Sequence, residues 1–159
     1  MKKFLLLLLV PALLWNCSTE LDVLDDWEET MVVYCLLDQS SPRQYIRIEK
    51  AFLGAESALT MAQVYDSIYY LNQLEVTVQA MDANGLIQQT FTTSNGTVFL
   101  DTVEKDPGMF AGPNHVLYSF DTPYPTLNSA WEYKLTVINS ETGKTVTAST
   151  DLVETSGSG

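Results

Sequence analysis

The stretch that decides the fold is WEYKLTVIN at residues 131–139, followed by the turn SETG and by KTVTASTDLV at residues 144–153. Successive side chains of a strand point to opposite faces, so alternate residues share a face. Those residues are Trp131, Tyr133, Leu135 and Val137 in the first run and Val146, Ala148, Thr150 and Leu152 in the second. Gly143 suits a left-handed bulge position in the turn. The stretch therefore predicts a β-hairpin.

Further strand-like runs precede this hairpin, separated by turn sequences: residues 30–37, 45–50, 74–81, 86–93, 97–103 and 115–122. The run at 30–37 is nearly all apolar, which predicts a strand buried on both faces. DANG at 82–85 predicts a tight turn, and Asn95-Gly96 is the strongest hairpin signal in the chain. Strands at this spacing are typical of an all-β sandwich, here with about 7–8 antiparallel strands.

Residues 54–73 interrupt this pattern, and they exceed the usual length of a loop. Their first part, residues 56–63, is compatible with a short helix or with a structured loop. Tyr65, Tyr69 and Tyr70 fall in the same segment. Tyrosines on such a loop either cover the end of a sandwich or bind a sugar or a protein partner. The sequence leaves both readings open.

Two family resemblances are carried by these residues. The run from Trp131 to Lys144 resembles the penultimate strand and final turn of fibronectin-III-like and immunoglobulin-like domains, and Tyr133 matches their tyrosine corner. Residues 17–153 also resemble the N-terminal module of Bacteroidota lipoproteins grouped as a domain of unknown function. That resemblance rests on VVYCLLD before YIRI, LEVTV before DANG, and YKLTV before GK. It implies an immunoglobulin-like fold and a place near outer-membrane systems.

The N-terminus predicts an exported lipoprotein. Lys2 and Lys3 precede an apolar run at residues 4–15, which is too short to span a bilayer core of about 30 Å and is typical of a secretory signal. LWNC at 14–17 resembles the lipobox of bacterial lipoproteins, which implies a signal peptide at 1–16 and acyl chains such as palmitate on Cys17. With Cys17 lipidated, Cys35 has no disulfide partner, and its apolar surroundings predict a buried, inert thiol.

An acidic segment at residues 17–29 separates Cys17 from the predicted domain at 30–153. It is either a solvated tether or, by resemblance to Bacteroidota lipoproteins, a surface-export signal carried by Glu20, Asp22, Asp25 and Asp26. Without the signal peptide, twenty acidic and six basic side chains remain, a net charge of −14. Such a surface repels phosphate backbones, so we expect no nucleic-acid partner. Residues 154–159, ETSGSG, read as a flexible tail.

The sequence offers no catalytic or metal-binding constellation, and we expect no cofactor. His115 is the sole histidine, which excludes a zinc set of several imidazoles and is most simply an ordinary strand residue. DANG lacks the remaining ligands of a calcium loop. Asp66-Ser67-Ile68 and Asp101-Thr102-Val103 resemble the O-glycosylation sequon of Bacteroidota exported proteins, with Ser67 and Thr102 as the acceptors.

These features together predict a non-catalytic, lipid-anchored lipoprotein of the outer membrane, facing the periplasm or the cell surface. We expect it to act as a binding or structural subunit with a protein partner in that membrane. The alternative is a glycan-binding module or a glycan-active enzyme that uses the aromatic loop at 54–73.

Overall fold

The computed structural model describes residues 29–51, 57–122 and 127–153, and within them the chain forms an all-β sandwich of eight strands. The strands are β1 Thr30–Leu36, β2 Arg43–Ala51, β3 Leu74–Met81, β4 Ile87–Thr92, β5 Val98–Glu104, β6 Asn114–Asp121, β7 Glu132–Asn139 and β8 Thr145–Asp151. Two short helices, α1 Ala58–Ala62 and α2 Tyr65–Ile68, and a 3₁₀ turn at Thr93–Asn95 complete the described elements.

Two antiparallel sheets, each of four strands, make up this sandwich over the described residues. One sheet has the order β1-β2-β6-β5 and the other the order β4-β3-β7-β8. These are the orders A-B-E-D and C′-C-F-G of immunoglobulin-type sandwiches. The predicted fold class is therefore confirmed.

The core lies between the inner faces of the two sheets. Its fully buried side chains include Ile46, Val76, Val137 and Phe120. The ring of Phe120 packs against that of Phe91 with centroids 4.8 Å apart, so each sheet contributes one ring to the pair. Buried residues alternate with more exposed ones along β3 and β7, so one face of each strand points into the core.

The predicted final hairpin is confirmed, and so is the left-handed conformation of Gly143 in its turn. β7 and β8 pair from Glu132–Asp151 to Ile138–Thr145. Gly143 has a φ of +72°, the left-handed conformation that a glycine adopts without strain. The side-chain oxygen of Asn139 accepts hydrogen bonds from the backbone N–H groups of Glu141 and Thr142 at 2.9 and 3.2 Å, which holds the turn.

The hairpin predicted at Asn95-Gly96 is wrong. The chain does turn there, with Gly96 in the left-handed region at a φ of +73°. However, β4 before the turn pairs with β3, while β5 after it pairs with β6 in the other sheet. The turn therefore carries the chain between the two sheets. A hairpin turn and a turn that passes between sheets use the same local turn residues. Only the distant strands with which β4 and β5 pair distinguish the two.

Tyr133 forms the contact that a tyrosine corner makes in immunoglobulin-like domains. It is buried near the start of β7, and its hydroxyl accepts a hydrogen bond from the Asn128 backbone N–H at 2.8 Å. The same hydroxyl donates to the Asn128 carbonyl at 3.4 Å. The loop before β7 is thus fixed to the strand that follows it.

Replacing Tyr133 with phenylalanine is expected to lower the free energy of unfolding by about 1 kcal/mol, because it removes these hydrogen bonds and leaves the ring in place. Urea unfolding monitored by circular dichroism measures the change. Tyr34→Phe is the matched control, since Tyr34 is 63% exposed. Its hydroxyl faces water, so its removal should leave stability nearly unchanged. Equal stability of the two variants would contradict the prediction.

Candidate functional site

An open groove runs along one side of the sandwich, between the edge strands β1 and β8. We call it the edge groove. Its volume is about 220 Å³, and core side chains of β3 and β7 form its floor. Its walls are inward-facing side chains of the two edge strands and of the residue after β1: Val33, Cys35 and Leu37 on one side and Val146, Ala148 and Thr150 on the other.

The two walls are connected at both ends but not along their length. At one end the Lys144 ammonium donates to the Glu29 carbonyl at 2.7 Å. At the other end the Gln39 side-chain amide donates to the Val153 carbonyl at 2.9 Å. Between these contacts, β1 pairs only with β2 and β8 only with β7 among the described strands. Both strands therefore present a backbone edge to the groove.

Burial of β1 on both faces, as predicted from residues 30–37, is wrong. β1 is the outermost strand of its sheet, and on it Tyr34 is 63% and Leu36 86% exposed. The apolar run reflects an exposed apolar edge instead of a central strand. Natural edge strands are usually protected from pairing by a charge, a proline or a bulge, and residues 30–37 contain no charge and no proline. This missing protection is the sequence signal that could have revealed the site.

Cys35 is not a buried core residue as predicted, because it is exposed and lines the edge groove. The apolar walls around its sulfur nonetheless desolvate the thiolate and raise the pKa of the thiol to about 11. The thiol therefore stays protonated at neutral pH. In that form it contributes to the groove as a small apolar side chain, and a protonated thiol is a weak nucleophile.

Of the two readings left open for the tyrosines of residues 54–73, the structure favours a packing role over an exposed binding role for two of the three. Tyr69 is 3% and Tyr70 1% exposed, whereas Tyr65 is half-buried. The Lys50 ammonium lies 4.9 Å from the centroid of the Tyr70 ring, and burial together with the nearby Glu29 carboxylate raises the pKa of the Tyr70 hydroxyl. The Tyr70 ring belongs to the main core, and the Tyr69 ring packs in a second buried cluster with Ile68 and Val116.

The remaining predicted residues are distributed over the surface or lie beyond the described ranges. Ser67 is half-buried in α2, and Thr102 is exposed on the edge strand β5. The two sequon-like sites are thus on different elements. The lipidation residue Cys17 and the sorting-signal residues lie outside the described residues: Glu20, Asp22, Asp25 and Asp26.

The described residues contain neither a metal-binding cluster nor a membrane-spanning helix. In the described ranges, no group of three or more histidine, cysteine, aspartate or glutamate side chains is placed to hold a metal ion. Within the same ranges, no helix has the length and apolar character needed to cross a bilayer. Comparison with known proteins finds no family model, no curated protein and no solved structure that matches the chain.

Proposed function

We propose that this chain is a non-catalytic lipoprotein, anchored in the outer membrane through lipid on Cys17, whose sandwich binds an extended segment of a partner protein in the edge groove. The observation that supports the binding role is an apolar groove between two edge strands, of which β1 contains no charge and no proline. Adding a strand to an exposed sheet edge is a common mode of peptide recognition, since the backbone hydrogen bonds supply affinity for many sequences.

The lining of the groove defines the chemistry of the bound segment. Lining residues occur at every second position of the β1 wall, which corresponds to a spacing of about 7 Å along the strand, and the β8 wall has the same alternation with Ser149 added to it. A bound strand with small or medium apolar side chains at alternate positions would match this spacing. Those side chains would contact Val33, Cys35 and Val146, while the alternate, polar ones would face water.

Charge favours a partner protein over the other possible occupants. Asp38 and Asp151 line an open pocket that adjoins the edge groove and shares Cys35, Leu37 and Thr150 with it. A basic side chain on the bound segment would pair with them. A second copy would bring a net charge of −14, and residues 18–28 of the same chain carry five acidic side chains. Both occupants would be repelled by this end of the groove.

The burial of Tyr69 and Tyr70 removes the support for glycan binding on exposed tyrosines of residues 54–73. The partner therefore remains a protein in this proposal. The strongly acidic mature chain makes nucleic acid an unfavourable partner.

The test is photo-crosslinking in the native outer membrane, with a photoreactive amino acid in place of Val146 inside the groove or of Thr147 on the opposite face of β8. We expect a cross-link to an extended segment of another protein from position 146 and none from position 147. Ala148→Glu is expected to abolish the cross-link, because it places an unpaired carboxylate in the apolar groove. Thr147→Glu, the matched control, should leave it unchanged.

Mass spectrometry of the cross-linked peptides identifies the occupant. A peptide of residues 18–28 would mean that the chain fills its own groove, and a peptide from a second copy would mean self-association. Either result, or a cross-link that persists in Ala148→Glu, would overturn the proposal.

A further inference from the structure

A second, polar pocket lies where β2 and β6 diverge. The two strands pair only from Arg43–Asp121 to Ile46–Tyr118. Beyond this point β2 remains paired with β1, and on its other side its described bridge is from Glu49 to Tyr69, so the residues after α2 lie between β2 and β6. The result is a pocket of about 270 Å³, which we call the fork pocket.

The fork pocket has a cationic and aromatic lining in an otherwise acidic protein. Its lining includes Arg47, Lys105 and His115, together with the exposed ring of Phe110. Only six basic residues follow the predicted signal peptide, and the pocket lining holds three of them, Arg47, Lys50 and Lys105, together with the sole histidine. Glu49 is the one acidic residue in the lining of this pocket.

The rim of the pocket is held in place by backbone contacts. The Lys105 ammonium donates to the carbonyls of Phe110 and Ala111 at 3.1 and 2.8 Å. The Ala111 N–H donates to the carbonyl of Ala62 in α1 at 2.8 Å. The loop that carries Phe110 is therefore joined to α1, which reduces the entropy that ligand binding would cost.

Two groups in the lining have hydrogen-bonding capacity left for a ligand. Arg47 bonds Glu49 through one terminal nitrogen at 2.7 Å, and a guanidinium has five N–H donors in all. His115 has a buried Nδ1 that bonds no other described residue. A buried polar atom without a partner costs free energy, which a polar ligand group at this nitrogen would recover.

We propose that the fork pocket binds a small monoanionic ligand, an acidic sugar residue with one carboxylate. The carboxylate would bond the free N–H groups of Arg47, a hydroxyl would donate to Glu49, and the apolar face of the sugar would pack on Phe110. Ligands with several negative charges are disfavoured by Glu49 and by the net charge of the protein. The site is separate from the edge groove and does not depend on the function proposed for it.

Because His115 is the only histidine, its imidazole resonances report on the pocket without ambiguity. The experiment is a titration of the labelled protein followed by NMR, with glucuronate as the probe and glucose as the neutral control, up to about 10 mM, which would fill most of a site with a Kd near 1 mM. We expect glucuronate to shift the His115 and Arg47 signals and glucose to shift neither.

Arg47→Gln is expected to weaken glucuronate binding by about ten-fold to a hundred-fold, the range of a charged hydrogen bond. Arg43→Gln is the matched control, because Arg43 is on the same face of β2, four residues away and paired with Asp121. It should leave binding unchanged. The proposal is overturned if glucuronate leaves the His115 signals unmoved, if glucose shifts them equally, or if both arginine variants bind glucuronate as tightly as the unmodified protein.

Discussion

Replacement of Cys17 by serine is expected to abolish acyl labelling of this protein completely. The sulfur atom of Cys17 would carry the lipid. The lipobox pattern requires cysteine at this position, so the hydroxyl of serine cannot take its place. Cys35→Ser is a matched control within the same chain, because Cys35 lies in the edge groove and is the only other cysteine. Cells fed a labelled fatty acid should therefore label the unmodified protein and Cys35→Ser, but not Cys17→Ser.

A second variant separates lipidation from retention of the signal peptide, which by itself could hold a precursor at the membrane. In this variant residues 1–17 are replaced by an ordinary cleavable secretory signal, so that the exported chain begins at Ser18. We expect it to be recovered in the soluble periplasmic fraction, since its acidic surface gives no attraction to anionic lipid. Acyl labelling of Cys17→Ser, or membrane retention of the chain that begins at Ser18 when the edge groove is blocked by Ala148→Glu, would contradict the lipid anchor.

Replacement of Phe120 by alanine is expected to lower the free energy of unfolding by about 3–5 kcal/mol. Phe120 is fully buried on β6 and packs against Phe91 of the opposite sheet. Its removal would leave a cavity at the centre of the sandwich and would break the aromatic contact between the sheets. Domains of this size have about 5–15 kcal/mol of stability in total, so the variant should be close to unfolding.

Phe99→Ala is the control for this prediction, since it makes the same chemical change on the opposite face of the same sheet. Phe99 is 36% exposed on β5, and its ring lies 5.1 Å from the Arg43 guanidinium. Loss of that exposed contact should cost about 1 kcal/mol or less. Thermal and urea unfolding of both variants measures the difference. A similar loss of unfolding free energy in Phe120→Ala and Phe99→Ala would contradict the central place of Phe120 in the core.

Arg43 illustrates why surface charge contributes little to this stability. It makes ion pairs with Asp121 at 2.7 Å and with Asp101 at 3.4 Å, and the bond from Arg43 holds the pKa of the Asp121 carboxyl below its usual value. A lowered carboxyl pKa stabilises the fold above the normal aspartate pKa, and this contribution is lost as the pH falls through the lowered value. Because these side chains are exposed to water, the core contacts of Phe120 outweigh them.

Strand positions in this protein follow directly from its sequence, and the pairing of those strands follows from it only in part. The alternation at residues 131–153 and Gly143 in the turn predict the last hairpin, because both signals act over neighbouring residues. The same type of local signal at Asn95-Gly96 predicts a hairpin where the chain instead passes between sheets. A turn residue determines that the chain reverses, and distant strands determine which sheet it enters.

The candidate sites depend still more on tertiary structure. The sequence by itself determined a strongly acidic chain with an alternating, strand-forming domain, since charge and alternation are properties of the residues themselves. Export and lipidation at Cys17 stay predictions from the apolar N-terminal run and the lipobox-like LWNC. Only the tertiary structure decided that the apolar run at 30–37 is an exposed edge, that Cys35 lines a groove, and that Arg47 and His115 share a pocket. The physical reason is that an edge and a pocket are created by the residues that pack beside a strand, and residues far away in the chain supply those neighbours.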